Sequence, residues 1–340
     1  MRRPFSIADA SEPSVLPSWM AAAGWYVIGW SGDVAREAVV SVTAFGQDLV
    51  LYRGTSGDLH CLDAHCQHLG AHLGHGGRVA EDCVVCPFHG WTWGPDGQNI
   101  AVPQGRTSKR RTGVWPVCER NGIIYLWHDV EDRPPQWEMP DLFDDLRDEY
   151  PTNGFWDAHT SGCHQYGPLT IQPRMAAENV VDLTHFRHVH GTREIPTLVS
   201  YEIEDFSFMT KLRVASRGRR SGAKEREDTV TLKQWGVGCA YTRFSGRDNV
   251  HSIFSVTPVD AHRSILRQTI FLERLDGETD EARLARMNAV ASVYPEDVRI
   301  WQHQRFVEPP SLQTDEAALF RALRSWLRAF EPKPGDYGAA

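Results

Sequence analysis

Two short stretches of this sequence carry residue types that can hold metal, and they lie far apart. The first is Cys66-Gln-His68 and Cys86-Pro-Phe-His89, with 17 residues between the pairs. Two thiolates and two imidazoles can bind one tetrahedral zinc, or a [2Fe-2S] cluster in which both thiolates sit on one iron and both imidazoles on the other. The spacing separates the two. Zinc fingers usually pair Cys with Cys and His with His, whereas each loop here offers one of each, as two irons side by side require. Zinc stays open as the alternative. The second stretch, Glu178-Asn-Val-Val-Asp182-Leu-Thr-His185-Phe-Arg-His188-Val-His190-Gly191, packs two acids and three histidines together. Two imidazoles and one carboxylate on one face of an octahedron are what mononuclear Fe(II) oxygenases use, since three positions stay open for oxygen, water or substrate. A polar helix without metal is the alternative.

These residues need elements to position them. Asp182 and His185 are three apart, so on a helix they share a face and Asp182 can accept from the imidazole. Helix geometry alone selects His188 as the second histidine. His190 is five residues on, about 140° round an ideal helix, and becomes usable only if the helix unwinds, for which Gly191 is a suitable terminator. The first stretch lies among short β-branched and aromatic runs: Val39 to Phe45, Asp48 to Arg53, Leu59 to Asp63 and Ile123 to His128, with turns at Ser56-Gly57-Asp58 and Pro95-Asp96-Gly97. That half reads as all-β. The acidic, proline-rich text from Asp129 to Asn153 reads as a linker. Beyond it come a helical segment around Met175 to His190, β-like runs from Thr197 to Leu275 that can share one sheet, and helices over Glu278 to Phe306 and Asp315 to Phe330. The expectation is an α+β chain: a β domain over 20–130, a linker over 131–153, and a catalytic domain over 154–340 with an antiparallel sheet flanked by helices, helix-grip-like.

Composition fits this division. A chain of 340 residues suits two domains at roughly 150 residues each. With 44 acids against 36 bases and 41% apolar residues it is ordinary globular protein, which disfavours disorder, coiled coil and a general nucleic-acid binder. An odd count of seven cysteines fits reduced thiols in the cytoplasm better than a disulfide framework. Met1-Arg2-Arg3 imitates a twin-arginine start, but Asp9, Glu12 and the prolines and glycines of the uncharged stretch after it break any span of about 20 apolar residues. No membrane span is expected. Cys61 and Cys83 read as small buried residues; His65, His72 and His75 read as solvated or as supports of the loops.

The order of C-x-H…C-P-F-H-G-W and then E-N-x-x-D-x-x-H-x-x-x-x-H resembles the oxygenase component of Rieske non-haem iron ring-hydroxylating oxygenases, across nearly the whole chain. The resemblance implies that Cys66, His68, Cys86 and His89 hold a [2Fe-2S] cluster. It selects His185 and His190 over His188, and through Glu296-Asp297-Val-Arg-Ile300-Trp301 it names Asp297 as third ligand of mononuclear Fe(II), with Glu296 as the weaker choice. Asp182 matches the aspartate that couples the iron to the cluster of an adjacent subunit, through the histidine that is His89 here, and Asn179 matches an active-site asparagine. Respiratory Rieske proteins tie their loops with a disulfide; Ala71 and Phe88 stand at those positions. Trp127-His128, His185-Phe186, Asp297-x-x-Ile-Trp301 and Leu323-Arg-Ser-Trp326 are most similar to the branch of 3-ketosteroid 9-alpha-hydroxylases and cholesterol 7-desaturases. That branch implies a homotrimeric monooxygenase that hydroxylates a C-H bond of a bulky, steroid-like small molecule with O2. A Rieske O- or N-demethylase of a small aromatic is the alternative.

Iron alone supplies one electron and reduction of O2 needs two, so the cluster is the second store. Gly236-Val-Gly238 lacks the third glycine of a dinucleotide fingerprint. Electrons are therefore expected from a separate NAD(P)H-dependent ferredoxin or flavin/iron-sulfur reductase. Arg106, Lys109, Arg110 and Arg111 read as a solvated basic loop, with docking of an acidic partner as the alternative.

Overall fold

The computed structural model describes residues 20–332 apart from 104, 145–150, 152, 217–225 and 246–248. The arginine pair at the start and part of the expected linker therefore lie outside the described residues. Contacts divide the chain into two units. One holds the described residues up to Met139 with Pro258–Ala261, and the other Pro140–Thr257 with His262–Glu331.

The first unit is built from β1 (Gly24–Trp30), β2 (Val39–Ala44), β3 (Gln47–Arg53), β4 (Leu59–Asp63), β5 (Arg78–Ala80), β6 (Cys83–Val85), β7 (Thr92–Trp93), β8 (Asn99–Ala101), β9 (Val117–Arg120) and β10 (Ile123–His128). They form three small antiparallel sheets, ordered β1-β10-β9, β2-β3-β4 and β5-β6-β7-β8. Gly57 and Gly97 turn with positive φ at the two expected reversals, a region open to glycine because it lacks Cβ. Alternation along β3 sends its side chains into two separate cores. Leu49 and Leu51 join Tyr26, Phe45, Ile124 and Leu126. Val50 and Tyr52 join Leu62, Leu73, Val84 and Trp93, together with Cys66 and Cys86. Each large side chain withdrawn from water in this way contributes roughly 1.5–3 kcal/mol, so the cysteine loops rest on a packed floor.

The second unit carries α1 (Ala158–Ser161), β11 (Cys163–Leu169), α2 (Pro173–Ala177), α3 (His185–His188), then β12 (Thr197–Ile203), β13 (Ser207–Ser216), β14 (Arg226–Trp235), β15 (Cys239–Ser245), β16 (Val250–Pro258), β17 (Ser264–Leu272), and finally α4 (Asp280–Ala291), α5 (Val293–Trp301) and α6 (Thr314–Leu327). The strands make one seven-stranded sheet ordered β11-β17-β16-β15-β14-β13-β12, with β11-β17 and each pair from β12 to β16 antiparallel. Edge and interior of the run differ. β12 is mostly exposed, as an edge strand can be, while every residue of β16 is buried. Helix α4 packs Met287 and Ala291 on Val250, Ile270 and Leu272. Helix α5 packs Tyr294, Val298 and Trp301 on Ala240, Phe254, Val256 and Leu266. The Gly236-Val-Gly238 text is the hairpin between β14 and β15, where Gly236 has φ +55° and donates to the Phe206 carbonyl at 2.9 Å.

One expectation needs correction. Met175 to His190 is not one helix: α2 ends at Ala177, a 3-10 turn spans Glu178–Val180, and α3 begins only at His185. Two side chains at this break hold its backbone. Thr210 of β13 donates its hydroxyl to the Val180 carbonyl at 2.7 Å, and the Asp182 carboxylate takes the backbone N-H of Thr184 and His185, each at 3.1 Å. A short acid that binds the backbone two and three residues on competes with continued helix. The C-terminal expectations shorten in the same way, with α5 ending at Trp301 and a 3-10 turn over Arg328–Phe330 closing α6.

Candidate active site with two metal-binding constellations

The two cysteine loops of the first unit share one backbone pattern. Cys66 N-H donates to the Ala71 carbonyl at 2.9 Å, and its own carbonyl accepts from Gly70 N-H at 2.9 Å; Cys86 pairs likewise with Trp91 at 2.8 Å and Gly90 at 3.1 Å. In both, the glycine stands four residues after the cysteine with positive φ, 78° at Gly70 and 70° at Gly90. The closing turn demands that conformation, and glycine adopts it at least cost. Two loops of the same design thus present matching residues. Cys66 and Cys86 belong to one buried cluster, and the His68 and His89 rings stand 4.9 Å apart between centroids.

Neighbours fix these side chains. Fully buried Trp93 donates its indole N-H to Cys66 Sγ at 3.3 Å, and Trp91 lies flat on His68 at 4.4 Å and 4°. Burial pushes the Cys66 thiol pKa up, opposed by the Trp93 and His68 N-H groups that would stabilise a thiolate. A metal that takes the thiolate removes that conflict. The donor set therefore fits a cluster with two thiolates on one side and two imidazoles on the other. Ala71 and Phe88 leave no loop disulfide, and Cys66 and Cys86 are both reduced thiols. Cys61 is buried, as expected, while Cys83 on β6 is half-buried.

In the second unit, one ligand atom each from His185, His190 and Asp297 falls within 4.8 Å of the other two. His185 opens α3. His190 lies past its end, where Val189 N-H closes on the His185 carbonyl at 2.7 Å and Gly191 turns with φ +64°. That unwinding brings the His190 ring to 5.1 Å from the His185 ring and leaves His188, the choice of ideal helix geometry, exposed. Asp297 sits on α5, only 4% exposed, with its Oδ1 3.4 Å from His190 Nε2.

Both imidazoles are held at Nδ1. His185 Nδ1 donates to the main-chain carbonyl of Asp182, and His190 Nδ1 donates to Glu296 Oε2 at 3.0 Å. Each ring therefore keeps Nε2 for a metal, with its tautomer set by the partner on the far side. This revises the expectation for Asp182: its carbonyl, not its carboxylate, orients His185. The carboxylate oxygen stands 3.9 Å from His185 Nδ1 and caps the backbone instead. Burial lowers the His185 pKa against the pull of Asp182 and Asp297, so this ring is a neutral ligand. Burial also works against charge on His190, but Asp297 and Glu296 outweigh it and raise that pKa. A cation between His190 Nε2 and Asp297 would answer the same charge, and two imidazoles with a buried carboxylate fit a facial iron triad. Asn179 lies half-buried in the 3-10 turn before Asp182.

The partners that sequence reasoning missed are Glu296 as the support of His190, the Asp182 carbonyl as that of His185, and Trp93 as donor to Cys66. Only the last carried a signal, as a Trp inside Cys86-Pro-Phe-His-Gly-Trp-Thr-Trp93 next to a ligand loop.

A cysteine-histidine cluster cradle followed by a two-histidine, one-carboxylate site on a helix-covered antiparallel sheet defines a Rieske-type non-haem iron oxygenase. The profile described as Rieske [2Fe-2S] domain matches residues 24–115, and that described as 3-Ketosteroid 9alpha-hydroxylase C-terminal domain matches residues 126–330. The chain belongs to the 3-ketosteroid 9alpha-hydroxylase family. It is 28% identical over 347 residues to a 3-ketosteroid-9-alpha-monooxygenase oxygenase component of Rhodococcus rhodochrous, covering 94% of this chain and 86% of that one. It is 26% identical to cholesterol 7-desaturase nvd of Bombyx mori, over 90% of this chain and 69% of that protein. Among solved structures it resembles dicamba monooxygenase bound to dicamba, with TM-score 0.67, 16% identity and coverage of 92% and 97%. It also resembles Pseudomonas putida CBB5 NdmA, QL mutant with caffeine, with TM-score 0.68, 17% identity and coverage of 92% and 90%. At such identities these structures speak to the fold alone. The protein is a monooxygenase of steroid 9-alpha-hydroxylase and cholesterol desaturase type, with a [2Fe-2S] cluster and non-haem iron as cofactors. Among the described residues no helix is long and apolar enough to cross a membrane.

Proposed function

We propose that the chain is the terminal oxygenase of a multicomponent system. It would take electrons from an NAD(P)H-dependent reductase and O2 as oxidant to hydroxylate an unactivated C-H bond of a bulky, steroid-like substrate, working as a homotrimer. The observation that carries this reading is the convergence of His185, His190 and Asp297 with both rings tied back at Nδ1. In the same chain stands a cradle of one thiol and one imidazole from each of two loops.

When bound, the two iron centres each supply one electron toward O2, so that a C-H bond becomes C-OH and the other oxygen leaves as water. Cys66, His68, Cys86 and His89 would hold the cluster; His185, His190 and Asp297 would hold the mononuclear iron. The protein's own work is orientation. Glu296 and the Asp182 carbonyl hold the two imidazoles, the Trp93 N-H offsets charge on Cys66, and Tyr294, buried one turn before Asp297, packs the helix that carries the carboxylate. Asp182 in this reading also links the iron to the cluster of an adjacent subunit, and Asn179 lines the reaction site. The steroid-like substrate class rests on the names of the curated relatives.

A product screen tests the substrate. Purified enzyme with a surrogate reductase is offered steroids, terpenoids and methoxyarenes under 18O2. A hydroxylated or desaturated steroid-like product is the expected result. Turnover of methoxyarenes alone, with loss of the methyl group, would replace this reading by that of a demethylase.

A further inference from the structure

In the second unit, the segment that leads into the histidine pair and the segment that leaves Asp297 are tied to each other in step. Thr170 donates its hydroxyl to the Gln302 carbonyl at 2.7 Å. Four residues on along each segment, the Arg174 guanidinium of α2 lies over the Phe306 ring at 3.7 Å. Four residues further, Glu178 pairs with Arg324 of α6, which donates to the Val307 carbonyl at 2.9 Å. His185 and His190 follow the first segment, while Glu296 and Asp297 precede the second.

Arg324 also lies over Phe306, at 4.6 Å, so two guanidinium groups meet on one half-buried ring. Like charges this close repel one another. Burial, with Arg324 beside it, lowers the Arg174 pKa against the pull of Glu331, Glu308 and Glu178. Two kinds of partner offset that cost. Arg174 pairs with Glu331 at 3.7 Å and Arg324 with Glu308 at 3.4 Å, and the face of the ring, negative through its quadrupole, attracts both cations. Gln172 adds direction, since its Oε1 accepts from Arg174 Nε at 3.1 Å. A leucine in place of Phe306 keeps the apolar bulk but has no such face, and leaves the two cations with only each other on that side.

Ligands of a metal site must be held to within about 0.5 Å, which takes support beyond the ligands themselves. Glu296 joins the two segments at the site, through His190; the ring and its two arginines join them away from it. We infer that Phe306, held by Arg174 and Arg324, is a positioning residue for the mononuclear iron. It fixes the exit of α5 against α2, and so sets where Asp297 stands relative to His185 and His190. The inference rests on the reading of those three residues as the iron ligands.

Release of Fe2+ from the holoenzyme to a ferrous chelator tests it, with acid-labile sulfide counted to show that the cluster stays in place. Phe306→Leu should release the mononuclear iron at least about tenfold faster than wild type, as loss of an outer support of a ligand does. Phe306→Tyr keeps the ring face and should release it at the wild-type rate. Arg174→Met, which keeps the length and removes one cation, should also release it faster, and carries the test if Phe306→Leu does not fold. Wild-type release from Phe306→Leu and Arg174→Met overturns the inference, as does release from Phe306→Tyr as fast as from Phe306→Leu. Asp297→Ala separates the two readings: iron lost there but held by the Phe306 and Arg174 variants removes the positioning role alone, whereas iron held in Asp297→Ala removes the ligand set beneath it.

Discussion

His190 stands between two consecutive acids of one helix: its Nδ1 donates to Glu296 at 3.0 Å, and its Nε2 faces Asp297 at 3.4 Å. Neighbours on a helix project about 100° apart, so adjacent carboxylates can take opposite edges of one ring. The two acids therefore have separate roles. Glu296→Ala removes the support and keeps the ligand, and mononuclear iron affinity should fall roughly 10- to 100-fold. Glu296→Gln, which still offers an amide oxygen to Nδ1, should recover most of it. Iron titrations of the two variants check this; equal loss in both would mean that charge, not the hydrogen bond, is what Glu296 supplies.

Trp93 to Cys66 gives a second prediction. A hydrogen bond to a thiolate stabilises the more negative, reduced cluster and raises its potential. Trp93→Phe keeps the buried ring and removes the 3.3 Å donor, so the potential should fall by the equivalent of one charge-assisted hydrogen bond, about 1.5–3 kcal/mol. Protein-film voltammetry of cluster-loaded enzyme reads it. An unchanged potential would show that the indole N-H is not aimed at the bound sulfur.

Asp182 separates anchoring from coupling. Its carbonyl orients His185 and its carboxylate caps the turn, and Asn can serve both roles. If Asp182 links the iron to a neighbouring cluster as proposed, Asp182→Asn should keep both metals and the fold while turnover falls at least tenfold, because the charge that the proposed link uses is gone. Metal analysis and single-turnover rates on one preparation decide it; full turnover in this variant would remove Asp182 from the electron path.

The pair Glu178 and Arg324 holds the broken helix in place from α6. Their side chains are 14% and 10% exposed, and Arg324 also donates to the Val307 carbonyl at 2.9 Å and lies over the Phe306 ring at 4.6 Å. Arg324→Leu strands a buried carboxylate and should cost about 3–5 kcal/mol of unfolding free energy, part of which Glu178→Gln restores in the double variant. Denaturant unfolding measures both. A loss below about 1 kcal/mol, the scale of a surface pair, would contradict the buried role.

Much of this was legible beforehand, for identifiable reasons. The matching loops that carry Cys66, His68, Cys86 and His89 could be read because their spacing is local, and the glycines at Gly70 and Gly90 repeat it. The strands at Val39, Leu59 and Ile123 could be read because alternation and turn residues are local too. The convergence of His185, His190 and Asp297 was only half legible. Ideal helix geometry pointed to His188, and only resemblance to a family led to His190; the reason is Asp182, whose carboxylate binds Thr184 and His185 N-H and interrupts the helix. Asp297 was preferred to Glu296 only through the same resemblance, since their difference is the direction each takes from α5 toward a histidine 106 or more residues earlier. Long-range partners of this kind leave no local pattern.

The proposed function requires two iron centres held by named residues of one chain. Iron and acid-labile sulfide, counted per chain in wild type and in Asp297→Ala, test that most directly. Wild type should hold about three irons and two sulfides, one [2Fe-2S] cluster plus one mononuclear iron. Asp297→Ala should hold about two irons and two sulfides, with the visible absorption of the cluster unchanged and turnover abolished. Three irons retained in the variant with turnover intact, or wild-type protein without sulfide, would contradict it.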